Sequence, residues 1–205
     1  MGSLSSIVSG TVAALVLAGY LLGSLSTAYY LVRIRTGEDI RTLGSGTAGS
    51  TNVGRALGAS GFAVTFLGDA AKGALAALAA RYFELGPWGV VLVILAVVAG
   101  QVWPVHLGFR GGKGLATAFG VILLLDYRLM IVLAAIAALV LLFLRHRMLG
   151  GLVAVALGPG VAALLGHPHP TVLGLSAVAM LVLFAHRSEI RGIIGASSQG
   201  PGGPD

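Results

Sequence analysis

Long runs without a charged residue constrain this chain more than any other feature. The first extends from about Ile7 to Ile34 and contains no charge before Arg33. A helix crosses a hydrocarbon core about 30 Å thick with roughly 20 apolar residues. Only 10% of the 205 residues are charged, whereas soluble domains carry about 25%. The sequence therefore predicts an all-α, polytopic integral membrane protein that is embedded in the lipid bilayer.

The composition also excludes several classes of protein. The chain has no cysteine, which rules out a disulfide-stapled module, thiol catalysis, cysteine-bound zinc and iron–sulfur clusters. Its hydrophobic content of 57% is incompatible with intrinsic disorder. The sequence pI is near 10.3, but the basic residues are scattered between apolar runs. We therefore interpret them as topology markers and anion ligands, and expect no nucleic-acid partner.

Six further candidate spans follow the first, so that about seven helices are expected. The stretch 115–144 is apolar except for Asp126 and Arg128, and it is interpreted as two short helices with a turn at Asp126-Tyr127-Arg128. The remaining four spans are Gly61–Tyr82, Trp88–Trp103, Met148–Leu165 and Thr171–Ala185.

The charges between the spans predict the orientation of the chain. Loops that follow odd-numbered spans hold ten Lys and Arg residues, while those on the other side hold only Arg81 and Arg128. The positive-inside rule then places the N-terminus outside and the C-terminus in the cytoplasm. Residues 1–195 are expected to form one transmembrane domain, and the Gly-, Pro- and Ser-rich tail 196–205 to be disordered. The ten residues are Arg33, Arg35, Arg41, Arg55, Arg110, Lys113, Arg145, Arg147, Arg187 and Arg191.

The polar segment from Gly44 to Arg55 is the first candidate site. It is rich in glycine and in hydroxyl side chains, and it also carries Asn52. Glycines let backbone N–H groups surround an anion, and an arginine suits phosphate. The alternative is an ordinary flexible connector. The segment is not a Walker A motif, since no Lys-Ser or Lys-Thr follows its last glycine.

A second candidate site is the segment from Gly108 to Gly114, which precedes a predicted helix. Its Gly-Gly-Lys-Gly turn combines free amides, the positive end of a helix dipole and the Lys113 ammonium. Arg110 and Lys113 could alternatively serve only as positive-inside anchors. With the first segment, it predicts two anion-binding turns on the cytoplasmic side.

Two further sets of residues are candidates. His186, at the end of the last span, could accept a proton near neutral pH, whereas the arginines after it also suit a helix C-terminus. Asp69 and Lys72 lie three residues apart within a span, a spacing typical of an ion pair. A structural pair and a direct substrate role both remain open for them, and Asp69 could instead brace Arg55 or Lys113.

Taken together, these motifs resemble those of a known family. Residues 44–55 resemble the signature Gly-Ser-Gly-Asn-x-Gly-Ala-Thr-Asn-Val-x-Arg of the bacterial acyl-phosphate glycerol-3-phosphate acyltransferases, the PlsY family. The order of motifs also matches, and the resemblance covers residues 7–195. The other matching motifs are Asp39-Ile40-Arg41, Asp69-x-x-Lys72-Gly73, the run from Pro104 to Gly114, and His186-Arg187-x-x-Ile190.

The resemblance implies a reaction. A fatty acyl group would pass from acyl phosphate to the 1-hydroxyl of glycerol 3-phosphate, giving lysophosphatidic acid and phosphate for phospholipid biosynthesis. It also implies seven helices, an inner (plasma) membrane location and an active site on the cytoplasmic side. Neither a cofactor nor a metal is expected. Two other functions are considered: a diverged acyltransferase with another phosphorylated acceptor, and an organic-phosphate transporter.

Site residues follow from the resemblance. Candidate catalytic residues are His186, Lys113, Ser45 and Glu189, with the proton accepted by His186, by Glu189 or by the substrate phosphate. Asp69, Lys72 and Gln101 are expected to support the site from behind. The candidate phosphate-binding residues are Ser45, Gly46, Thr47, Ser50, Asn52, Arg55, Arg110, Gly112 and Lys113.

Four positions depart from the usual pattern of the family. Thr47 stands in place of a common Asn, Ser50 in place of Ala, and Gln101 in place of His. Glu189 replaces a common Asn and adds negative charge near an anion site. We expect this carboxylate to cost phosphate affinity unless Arg187 or Arg191 neutralises it, and it leaves the identity of the acceptor open.

Overall fold

The computed structural model describes residues 10–144 and 147–198, and these form helices joined by turns, with no strand among them. Short 3₁₀ turns at Ile40–Thr42 and Val105–Leu107 precede α3 and α5. The nine α-helices are α1 (Gly10–Ser24), α2 (Thr27–Thr36), α3 (Ser50–Tyr82), α4 (Pro87–Val102), α5 (Leu115–Leu125), α6 (Tyr127–Leu144), α7 (Arg147–Leu164), α8 (His169–Ala185) and α9 (Arg187–Ser198).

The predicted turn near Asp126 is confirmed. Asp126 takes an extended conformation, with φ −155° and ψ 111°, and so ends α5. Its carboxylate accepts a hydrogen bond from the backbone N–H of Arg128 at 2.7 Å, and α6 begins at Tyr127. A polar residue that caps the turn therefore divides the apolar stretch 115–144 into two helices.

The first predicted span differs, because it is broken rather than continuous. Ser26 is extended, and its hydroxyl accepts a hydrogen bond from the backbone N–H of Tyr29, which caps α2. Apolar composition alone does not reveal such a break, since a serine inside a membrane helix is common. The two helices together still give an apolar stretch of 27 residues, Gly10–Thr36.

Helix α3 begins before the predicted span and contains its own break. Gly58 has φ 75° and ψ −167°, a conformation that non-glycine residues rarely adopt. Residues 50–57 thus form a short helical part of about two turns, which carries the second half of the polar segment, and the predicted span from Gly61 follows the break. The same helix therefore supplies both site residues and a membrane segment.

The helices pack through small residues. This is typical of membrane helices, because lipid provides no hydrophobic driving force for their association and close packing must stabilise it. Gly73 and Gly120 bring α3 and α5 into backbone contact, since a Cβ at either position would collide with the facing backbone. Gly23 and Gly100 do the same for α1 and α4. Buried aliphatic residues such as Val97 and Val121 fill the centre of the bundle.

By length and apolarity, four helical stretches can each cross a bilayer, and α8 with α9 makes a fifth if this pair, bent by 66°, counts as one span. Helices α5 and α7 are apolar but shorter. The chain is therefore a multi-pass integral membrane protein. Helix α9 was not predicted, and it continues to Ser198. The first three residues of the expected disordered tail, 196–198, are therefore helical, and the rest of that tail lies outside the described residues.

Candidate active site

Asn52 shapes the first anion loop, defined here as residues 44–49. Its side chain is buried, with 2% of the residue exposed. Its amide nitrogen donates to the carbonyl oxygens of Ile40, Leu43 and Thr47 at 2.9–3.1 Å, and its amide oxygen accepts from the backbone N–H of Ser45 at 2.9 Å. The N–H groups of this amide are therefore committed to holding the loop from behind.

The outer side of this loop carries hydroxyl groups. Ser45 is exposed, and its hydroxyl lies 3.0 Å from that of half-buried Thr47. Half-buried Ser50 begins α3, whose first backbone N–H groups lack partners within the helix. Exposed Arg55 lies one turn further along. The loop and the helix start thus present donors and a cation on one surface, an arrangement suited to binding an anion.

The second anion loop, defined here as residues 108–114, is fastened to the first. Backbone N–H groups of Gly111 and Gly112 donate to the carbonyls of Val102 and Gln101, at 3.2 and 2.9 Å. The Gly111 carbonyl in turn accepts a hydrogen bond from the N–H of Ala48 at 3.2 Å. A Cβ at Gly112 would lie 2.7 Å from both the Ala48 carbonyl oxygen and the Gln101 side-chain nitrogen. Only glycine therefore allows the two loops to approach this closely.

Arg41 adds a second link, between the segments that precede the two loops. Its guanidinium forms an ion pair with Asp39 at 2.6 Å and donates to the carbonyl oxygen of Leu107, also at 2.6 Å. It lies over the ring of Tyr29, 5.4 Å from the ring centre. The guanidinium also lowers the pKa of the Asp39 carboxyl. The spacing of residues 39–41 gave no hint of the contact with Leu107, which depends on the fold.

A buried polar network lies beneath the loops. Lys72 forms an ion pair with Asp69 at 2.8 Å and donates to the side-chain oxygen of Gln101 at 2.5 Å, while the side-chain nitrogen of Gln101 donates to Asp69 at 2.8 Å. Lys72 also donates to the carbonyl oxygen of Leu25 at 2.6 Å, at the break between α1 and α2. Asp69 forms no ion pair with Arg55 or Lys113 among the described residues. These contacts favour the structural pair over the bracing alternative.

Lys113 lies where the second loop meets the junction of α8 and α9. Its ammonium forms an ion pair with Glu189, whose other carboxylate oxygen accepts from the Ser188 hydroxyl at 3.0 Å. Burial lowers the pKa of Lys113 to about 8, and the positive charge of Arg55 adds to this effect. The Glu189 carboxylate acts in the opposite direction. Lys113 and Arg55 therefore lie on the same side of the molecule and near each other.

His186 ends α8 beside this group. The residue is buried, and its ring Nδ1 lies 2.8 Å from the carbonyl oxygen of Val182. The Lys113 ammonium lies near enough to interact electrostatically with the ring. A neutral ring that donates through Nδ1 has a lone pair on Nε2, and no described residue hydrogen-bonds Nε2. Such a nitrogen can accept a proton or orient a hydroxyl group.

The structure thus brings together the three segments that the sequence singled out. Exposed Arg110 lies on the second loop and forms no side-chain hydrogen bond or ion pair with a described residue. Gly46 takes a left-handed conformation, φ 70°, in the first loop. Arg187 donates to the carbonyl of Phe184 at 3.0 Å rather than pairing with Glu189. The pairing of Glu189 with Lys113 was not expected, because residues far apart in the chain gave no signal for it.

No group of three or more His, Asp or Glu residues suited to a metal ion occurs in the part of the chain that the structure describes. The cations instead gather around two glycine-rich loops at one edge of a membrane bundle. Fold and site together define an integral membrane protein whose helices carry, at one end, a cluster of cations and donor groups suited to anionic ligands.

Comparison with known proteins identifies the family. The family model for glycerol-3-phosphate acyltransferase matches residues 13–196. Glycerol-3-phosphate acyltransferase 1 of Desulfitobacterium hafniense is 43% identical over 90% of this chain and 92% of its own length. The enzyme of Rubrobacter xylanophilus is 40% identical over 92% of this chain and 94% of its own length. The chain belongs to the glycerol-3-phosphate acyltransferase family.

Solved structures agree with this assignment. The crystal structure of PlsY, an integral membrane glycerol 3-phosphate acyltransferase, in its glycerol 3-phosphate form superposes with a TM-score of 0.86 at 31% identity, covering 91% of this chain and 94% of that chain. Its lysophosphatidic acid form gives a TM-score of 0.83 at 29% identity, covering 91% and 93%. The architecture described above is therefore that of an acyltransferase.

Proposed function

We propose that this enzyme transfers a fatty acyl group from acyl phosphate to the 1-hydroxyl of glycerol 3-phosphate, giving lysophosphatidic acid and phosphate. The observation that carries the proposal is the junction of the two anion loops through Ala48 and Gly111. Each substrate carries a phosphate, and the joined loops offer neighbouring donor groups for two. The bundle beside them offers apolar surface for the acyl tail.

The main task of such a site is to hold two like-charged substrates together. Arg55 and Lys113 offset the repulsion between two phosphates and stabilise charge on the departing one. Ser45, Thr47 and Ser50 supply neutral donors at the first loop. Arg110 contributes at the edge of the site. The backbone N–H groups of Gly46 and Gly112 were expected to bind phosphate, but they donate to the carbonyl oxygens of Leu43 and Gln101, each at 2.9 Å, and so shape the loops instead. Asn52 has the role of holding the first loop in shape, because its N–H groups are directed away from the site into that loop.

The chemistry requires no covalent enzyme intermediate, since an acyl phosphate is an activated mixed anhydride. The hydroxyl oxygen attacks the acyl carbon, an ester bond forms, and the bond from that carbon to the phosphate oxygen breaks. The hydroxyl proton passes by way of His186 Nε2 or directly to the departing phosphate, which leaves as hydrogen phosphate. Glu189 is a poorer proton acceptor, because Lys113 and Ser188 engage its two oxygens.

Seven spans with an external N-terminus fit this arrangement. The segments carrying Arg41, Lys113 and Glu189 contact one another, as expected if all lie on the cytoplasmic side of the inner membrane. A separate set links the other connections: Arg81 donates to the Leu124 carbonyl at 2.8 Å, and His167 pairs with Asp126 at 2.9 Å. Helix α5 has 11 residues, about 16 Å of helix, so the second loop would enter the membrane to meet it.

The direct test is product analysis. Purified protein is incubated with palmitoyl phosphate and glycerol 3-phosphate, and mass spectrometry is expected to show lysophosphatidic acid and phosphate only when both are present. Absence of acylglycerol phosphate from folded protein would contradict the proposal. A screen of other phosphorylated alcohols tests the alternative of a diverged acyltransferase with another acceptor. This alternative is tested because the carboxylate of Glu189 adds negative charge near the anion site. Uptake of an organic phosphate into proteoliposomes without chemical change would indicate transport instead.

A further inference from the structure

The ammonium of Lys113 in the second loop is already paired with a carboxylate of the same chain. The side chains of Lys113 and Glu189 are 17% and 26% exposed, and they form an ion pair. The proposed function requires the same ammonium to bind a substrate phosphate. Glu189 therefore stands where a substrate anion would bind, and it comes from a helix that the sequence did not predict.

A carboxylate and a phosphate cannot both hold this ammonium without a cost. Two anions that contact the same ammonium repel each other, and the repulsion is stronger at a half-buried site than in bulk water. The positive charge of Arg55 also acts at Lys113, and this favours a phosphate, which carries more negative charge than a carboxylate. Binding of phosphate is thus expected to displace Glu189 from Lys113.

Glu189 has somewhere to go when it is displaced. It lies in the first turn of α9, where the positive end of the helix dipole favours a carboxylate. The Ser188 hydroxyl, 3.0 Å from one of its oxygens, lies beside it on the same turn. Helix α9 also turns by 66° away from α8 at His186, and the carboxylate is partly exposed. A released Glu189 would therefore remain hydrated and hydrogen-bonded.

We infer that Glu189 is a specificity-determining residue that competes with phosphate for Lys113. In the empty enzyme it neutralises a cation that burial destabilises. In the presence of substrate it discriminates against singly charged anions and favours a phosphate, whose higher charge competes better for Lys113. Naming the substrate phosphate rests on the proposed function, whereas the competition itself requires only a phosphate anion.

The experiment measures phosphate binding and turnover separately. Wild-type protein, Glu189→Gln and Glu189→Asn are titrated with inorganic phosphate by calorimetry in detergent at constant ionic strength. Steady-state kinetics then give KM and kcat for glycerol 3-phosphate. Glu38→Gln is the matched control, because exposed Glu38 follows α2 at the same end of the bundle and its removal changes the net charge equally.

Both neutral variants are expected to bind phosphate about 5- to 10-fold more tightly than the wild type, a modest coupling between two sites. KM is expected to fall by a similar factor, with a smaller change in kcat, and Glu38→Gln is expected to behave as wild type. Both substitutions keep a polar side chain at this partly exposed position, and melting temperatures verify that the variants fold.

Unchanged or weaker phosphate binding in both variants would overturn the inference. So would a collapse of kcat at unchanged phosphate affinity, since Glu189 would then act on the proton rather than on Lys113. If the wild type makes no lysophosphatidic acid but the neutral variants still bind phosphate more tightly, the proposed function fails and the competition stands.

Discussion

The side-chain amide of Gln101 lies directly beneath Gly112, and the backbone carbonyl of the same Gln101 accepts the Gly112 N–H at 2.9 Å. Through its side chain, Gln101 also contacts Asp69 and Lys72. One residue therefore connects a charged network inside the bundle to the loop that carries Lys113. The geometry of the anion site depends on packing below it as well as on the residues that face the substrate.

Gly112→Ala tests the close approach of the two loops. The added methyl would meet the Ala48 carbonyl and the Gln101 amide, and overpacking of this kind costs about 1–3 kcal/mol. We expect kcat/KM to fall by about tenfold or more, because small displacements of binding groups are costly in catalysis. Gly160→Ala is the control, since nothing lies within 4 Å of its added carbon. Equal activity in both variants would show that the approach is not required.

Lys72→Met tests the buried network. Removing one member of a buried ion pair leaves Asp69 uncompensated, at a cost of about 3–5 kcal/mol. We expect a clearly lower melting temperature in detergent, and the double variant Asp69→Asn with Lys72→Met should melt closer to wild type than Lys72→Met does. Strictly additive losses would mean that the two side chains do not stabilise each other.

Arg55→Ala and Lys113→Ala test the two proposed phosphate cations. Each removes a charged donor aimed at the transferring group, and loss of one such donor typically lowers turnover about 100-fold or more. We expect this loss in steady-state assays, with melting temperatures near that of wild type. Arg35→Ala, an exposed cation of α2, should retain activity. Wild-type turnover in either site variant would show that the substituted residue is not needed to hold phosphate.

The pH dependence of kcat/KM tests the protonation state of Lys113. Its ammonium must be charged to hold phosphate, and its pKa is lowered to about 8. Activity should therefore be present below pH 8 and decline as the pH rises through that value. Lys113→Arg should lose this alkaline decline, because a guanidinium stays charged. An alkaline limb that is unchanged in Lys113→Arg would assign the titration to another group.

Asn52→Asp tests whether the first loop is held from behind. The substitution keeps the shape but replaces the donating nitrogen, so that a carboxylate oxygen would face three carbonyl oxygens. We expect KM for the phosphorylated substrates to rise about tenfold or more, since a charged hydrogen-bonding group without a partner is costly. Thr51→Val, at an exposed neighbouring position, is expected to leave KM unchanged.

Much of the fold could be predicted from apolar runs and turn residues. The boundaries of α4, the division at Asp126 and the end of α8 followed from local composition, and the family match confirmed the acyltransferase assignment. The breaks at Ser26 and Gly58 could not be predicted. Serine and glycine are ordinary inside membrane helices, and only their tertiary surroundings decide whether they interrupt one.

The candidate site was predicted as a set of segments rather than as a set of contacts. Glycine and hydroxyl patterns located both loops, because local sequence determines where backbone amides are free. They did not reveal that Asn52 turns its N–H groups inward, or that Glu189 pairs with Lys113 instead of Arg187 or Arg191. Such pairings depend on how α9 lies against the second loop, which no local pattern encodes.

The contact between Lys72 and the carbonyl of Leu25 bears on how the chain enters its bilayer. When the first hydrophobic stretch leaves the insertion machinery, its broken helix exposes a backbone oxygen to hydrocarbon, where no water can satisfy it. The ammonium that satisfies it arrives only with the following stretch, and that ammonium is itself poorly tolerated in lipid alone. The two stretches therefore complete each other, and we expect them to be integrated as a pair rather than one after the other.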